Sequence, residues 1–145
     1  SWLSWKITQH YKKSMATRSE IRFATREEGV SFNEIPNAIH ARFYAHWDGY
    51  PSYRGVELAE SIDSGYKVEG WEVESLTANH TDLEYIYYVW QAPGKDTWIS
   101  IFERDDFGIE TYELHTEESG HFKCIFVGTP EMLIERYKLN TNEEG

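Results

Sequence analysis

Three histidine-centred groupings carry the chemistry this sequence could perform. His40, His46 and Asp48 fall on even positions of one alternating segment, so they share a strand face on which an imidazole and a carboxylate could exchange a proton. His121-x-x-Cys124 has half the spacing of a zinc site. His80-Thr81 and His115-Thr116 repeat a dipeptide, without the intervening residue that a two-histidine phosphoesterase site needs. Each grouping stops short of a mechanism. Residues three apart on a strand point to opposite faces, and no second Cys or His pair completes four zinc ligands. Cys124 sits in an apolar run, where a thiol behaves as a small hydrophobe with a raised pKa. No glycine-rich phosphate loop, serine-nucleophile motif or metal-binding helix is present. The expectation is therefore a protein with no catalytic residue, no metal and no cofactor, for which binding is favoured over catalysis and an enzymatic role stays open.

Two other sets of residues are suited to binding. Glu103, Asp105, Asp106, Glu110, Glu113, Glu117 and Glu118 form an acidic run broken only by Arg104. Tyr44, His46, Tyr50, Tyr53 and Arg54 crowd the stretch FYAHWDGYPSYRG, residues 43–55. Aromatic rings with polar tips are enriched where proteins meet partners, and a guanidinium stacks on them. If these five share an outer face, they form an aromatic wall.

Charge is spread unevenly over the 145 residues. Residues 1–26 hold six basic side chains against one acidic, a net of +5; the remainder holds eight against twenty-four, a net of −16, together the −11 of the whole chain. An acidic body repels phosphates, because binding nucleic acid requires cations that displace counterions. Direct nucleic-acid binding is therefore excluded as the function of that body. No apolar run reaches the roughly 18 residues of a membrane span. The single cysteine, Cys124, rules out an internal disulfide and fits a reducing, cytoplasmic setting.

The elements that must position these residues can be read from periodicity. Ile21, Phe23 and Thr25 alternate with Arg22, Ala24 and Arg26, a strand; residues 27–37 read as a loop. Ile39, Ala41, Phe43, Ala45 and Trp47 alternate with His40, Arg42, Tyr44, His46 and Asp48, so the odd positions are expected to face the core. Asp48-Gly49 and Pro51 end that strand in a corner. Residues 54–63 favour a helix, with Val56, Ala59 and Ile62 on one side. Residues 66–82 give no clear period. Residues 83–91 and 97–103 form a hairpin, apolar on both faces and so expected to be central. Residues 109–114 and 121–127 predict further strands, and Thr129-Pro130 caps a closing helix. The fold class expected is α+β, a mostly antiparallel sheet of about five strands with two helices packed on it. By domain, residues 1–14 are expected to be an extra segment ahead of Met15, 15–139 a single domain and 140–145 a polar tail.

Met15-Ala16-Thr17-Arg18-Ser19 with Ile21, the His46-Trp47-Asp48-Gly49-Tyr50-Pro51 string with Gly55 and a short helix, and Glu84-Tyr85-Ile86-Tyr87 with Trp98 in the partner strand have a counterpart. Over about residues 15–102 the chain resembles a group of small proteins encoded by bacteriophages and prophages. The resemblance implies an accessory gene product acting in the cytoplasm of a bacterial host; it transfers no catalytic residue. With the charge, it leads to the expectation of a protein that binds a basic surface on a host protein, such as a nuclease or polymerase, and inhibits or modulates it as a mimic of DNA. An alternative is a small-ligand or nucleotide-binding domain using the aromatic wall near His46. A third reading is a homodimer through the hairpin of residues 83–103.

Overall fold

The computed structural model describes residues 17–26, 29–65, 70–78, 80, 82–91, 96–105 and 122–139. Six strands form one sheet: β1 (Arg18–Thr25), β2 (Ala38–Ala45), β3 (Glu72–Glu74), β4 (Leu83–Trp90), β5 (Trp98–Arg104) and β6 (Phe122–Gly128), in the order β3-β2-β1-β4-β5-β6. Every pairing is antiparallel except β1 with β4. A parallel neighbour cannot be reached by a tight turn. The chain returns to it through β2, a π-helical turn (Pro51–Gly55), α1 (Val56–Ser61) and β3. Thr129 caps the last helix, α2 (Pro130–Tyr137), its side chain accepting from the Met132 N–H, with Pro130 in the first turn.

Among the described residues the fold is thus α+β with two helices, as expected, but with six strands rather than about five. The additional strand is β3, in the region without a clear period. Only three residues long and at the sheet edge, it exposes Glu72 and Val73, so it carries no burial pattern to read. The strand expected at residues 109–114 lies outside the described residues.

Two apolar layers sandwich the sheet. On one face, Val56, Leu58 and Ala59 of α1 and Leu133 of α2 pack on Ile21, Tyr87, Val89, Ile99 and Ile101. Each valine, leucine or isoleucine side chain among them that is removed from water contributes roughly 1.5–3 kcal/mol. On the other, Ala24, Ile86, Tyr88, Trp90 and Phe102 are met by Val30, Phe32 and Ile35 from the loop after β1. Phe32 stacks on Trp98 at 5.0 Å and meets Trp90 edge-on at 5.5 Å, while Ser100 accepts from the Trp90 indole at 2.7 Å and donates to the Phe32 carbonyl.

Coverage on both sides overturns the expectation that β2 turns only its odd residues inward. Tyr44 and Arg42 are buried, at 4% and 5% exposure. The β1–β2 register also shifts between Phe23 and Ala24, so Ile39 and Phe43, both odd, pack in opposite layers. Trp47, expected in the core, lies beyond the end of β2 and is 56% exposed. Tyr87, Tyr88 and Val89 are fully buried inside the chain, so both apolar faces of the hairpin serve its own core.

Candidate functional site

The corner after β2 is built for close approach. Asp48 adopts a positive φ of 52°, and the Gly49 N–H donates to the Thr17 carbonyl at 3.0 Å. A Cβ on Gly49 would stand 2.7 Å from Ser19 Cβ and 3.0 Å from the Thr17 oxygen, so only glycine lets the corner lie on β1. The Tyr87 hydroxyl donates to the Gly49 carbonyl from inside the core. Pro51 opens the π-helical turn, where Val56 N–H reaches back to the Pro51 carbonyl.

That corner separates the five residues expected on one aromatic wall. Tyr44 is buried on the loop-covered side of the sheet, stacked on His80 at 4.1 Å. His46 meets Tyr44 edge-on and lies 3.1 Å from a Glu72 carboxylate oxygen. Arg54, 5% exposed, donates to Glu57 at 2.5 Å and to the Trp47 carbonyl at 2.9 Å, so it fastens the corner. Tyr50 and Tyr53 form an edge-on pair at 6.2 Å, and only Tyr53 of the five is largely exposed. The open depression beside Tyr53, about 540 Å³, is lined by α1 and Lys138 and not by Tyr44, His46 or Tyr50. A continuous stacking wall is therefore not formed.

The groups that could have exchanged protons are likewise dispersed. His40 Nε2 lies 2.5 Å from Thr25 Oγ1, and His46 is engaged by Glu72. Each histidine takes a partner outside the trio with Asp48. Cys124 is half-buried on β6, its thiol donating to the Phe126 carbonyl at 3.4 Å, and burial pushes its pKa up. His121 lies outside the described residues.

Of the acidic run, Glu103 sits half-buried on β5 opposite Tyr85 and Lys123, and Asp105 is exposed, 3.9 Å from Lys123 Nζ. Asp106, Glu110, Glu113, Glu117 and Glu118 lie outside the described residues. The described surface nevertheless has a marked bias. Arg22, Arg42 and Arg54 are buried, whereas Glu20 is the only buried acid among the described residues. Exposed there are nine acids (Glu34, Glu60, Asp63, Glu72, Asp82, Asp96, Asp105, Glu131 and Glu135) and four bases (Arg26, Lys123, Arg136 and Lys138). Among the described residues, burial of three arginines against one glutamate leaves the exposed part more negative than their composition alone.

The arginines are withdrawn into a polar cluster that sequence reasoning missed. Glu20 Oε1 accepts from Arg22 Nε at 2.8 Å and from Arg42 Nε; Arg22 also donates to the Tyr88 hydroxyl at 3.0 Å, and Arg42 to the Leu76 carbonyl at 3.1 Å. Beside it, the Tyr44 hydroxyl donates to Asp82 at 2.9 Å, Arg18 pairs with Asp82 at 3.0 Å, and His80 lies 2.5 Å from Glu74. Burial, then the Asp82 hydrogen bond and charge, drive the Tyr44 pKa up. The available signal was Glu20 and Arg22 alternating with Ile21 and Phe23, a polar face that turns inward only because the second layer exists.

No family model, no curated protein and no solved structure matches this chain. No helix among the described residues is long and apolar enough to cross a membrane.

Proposed function

We propose that this chain is a non-enzymatic phage accessory protein whose negative surface docks on a basic, nucleic-acid-binding face of a bacterial host protein and inhibits or modulates that host protein. The observation that carries the reading is the sorting of charge by the fold, with three arginines buried against one glutamate among the described residues. Carboxylates held on a rigid sheet domain repel nucleic acid and attract the lysine- and arginine-lined grooves that normally receive it. The bacteriophage resemblance of residues 15–102 supplies the host setting. Dispersal of the histidines and burial of the thiol favour binding over catalysis.

The experiment is capture from a bacterial extract on the immobilised protein, eluted by a salt step or by excess duplex DNA. Release of the same basic protein by both eluents is expected, because screening and competition act on one interface. Retention of nothing, or of a partner that neither salt nor duplex displaces, overturns the reading.

A further inference from the structure

Independently of the outer surface, the interior polar cluster holds two carboxylate oxygens in need of a ligand. Glu20 is fully buried; both arginines bind its Oε1, and its Oε2 has no hydrogen-bond partner. Glu74 Oε2 is likewise buried and without a partner, while its Oε1 meets His80 Nε2. Leaving a carboxylate oxygen out of water with nothing to receive it is costly. One oxygen of Glu20, one oxygen of Glu74 and a ring nitrogen of His80 lie within 4.8 Å of one another. We propose that Glu20, Glu74 and His80 bind one divalent transition-metal ion.

Bonds of about 2.0–2.2 Å from nitrogen and carboxylate oxygen gather such atoms around a single ion with small side-chain movement. The imidazole selects for a first-row transition metal such as Zn²⁺ over Ca²⁺ or Mg²⁺, which prefer oxygen alone. The surroundings of His80 are those of a metal-bound histidine. Nε2 faces Glu74, and Asp82 Oδ1 lies 3.8 Å from Nδ1, a carboxylate near the second ring nitrogen as around many metal-bound histidines. Tyr44 stacks on the ring with an interplanar angle of 9° and fixes its plane. Asp82 is itself held by Tyr44 and Arg18. The two arginines on Glu20 Oε1 offset the charge of that carboxylate yet leave Oε2 available. The ligands come from β1, from β3 and from the segment before β4, so the ion ties edge strand β3 to the sheet centre.

The test is calorimetric titration of the chelator-treated whole chain with Zn²⁺, alongside Glu74→Gln, His80→Gln and the control His46→Gln. Expected is one ion per chain, with binding weakened more than about tenfold in the first two variants and unchanged in the control. In the unmodified protein, Mn²⁺ should broaden amide resonances at residues 20, 74 and 80 before any others, a readout that does not depend on a variant folding. Absence of binding overturns the site. So does binding lost in His46→Gln alone, or broadening centred elsewhere.

Discussion

The Tyr87 hydroxyl, in the middle of β4, donates to the carbonyl of Gly49, in the corner after β2. A core strand thereby holds a surface turn, and Gly49 in turn holds the start of β1 through the Thr17 carbonyl. The same tyrosine ring lies 3.2 Å from where a Cβ on Gly55 would stand. The His-Trp-Asp-Gly-Tyr-Pro string is thus fixed by packing before any ligand is considered.

Replacing Gly49 with alanine drives a methyl into Ser19 and the Thr17 backbone. The expected loss is about 1–3 kcal/mol, the usual cost of overpacking, read as a lower urea midpoint with an unchanged slope. An unaltered midpoint would show that the corner is not tight.

Alkaline stability follows from the buried tyrosines. Burial raises Tyr87 well above its ordinary value, and burial with the nearby Glu103 charge raises Tyr85 to about 12. Between the unfolded value near 10 and the folded one, the native state keeps protons that the unfolded chain releases, so stability is intact below about pH 10 and falls above it. Tyr87→Phe should lose about 1 kcal/mol at neutral pH, for the hydrogen bond, yet decline less steeply above pH 10, by up to about 1.4 kcal/mol per pH unit. Denaturant unfolding on both sides of pH 10 measures this; parallel declines would contradict it.

Arg22→Met leaves Glu20 with one fewer buried cation. A loss of about 3–5 kcal/mol is expected, and the triple change that adds Glu20→Leu and Arg42→Met should recover most of it, because a well-packed apolar cluster is seldom worse than a buried ionic one. A triple variant no more stable than the single one would argue against direct coupling.

Trp47→Ser tests the correction to β2. An indole at the core would cost about 3–5 kcal/mol to remove, whereas one 56% exposed beyond the strand should change stability by under about 0.5 kcal/mol. Thermal melts separate these outcomes.

Strands β1, β4, β5 and β6 and both helices were legible because their apolar periods are long and their turn and cap residues are explicit. The second layer was not. It is made by Val30, Phe32 and Ile35 in a loop, whose sequence has no period to reveal that it folds over the sheet. That one omission accounts for the misreading of Tyr44 and Arg42 as outward-facing, and so for missing the Glu20 cluster. Trp47 was misplaced because an alternating pattern does not announce where its strand stops.

The central claim, that the fold presents a negative surface to a basic host groove, is tested most directly by competition. Labelled duplex DNA bound to the captured host protein is titrated with this chain, and fluorescence anisotropy is followed at rising salt. The account predicts that the duplex is released as the chain binds, with an apparent affinity that falls steeply as salt increases. A duplex that stays bound in a ternary complex, or release that salt does not weaken, would contradict it.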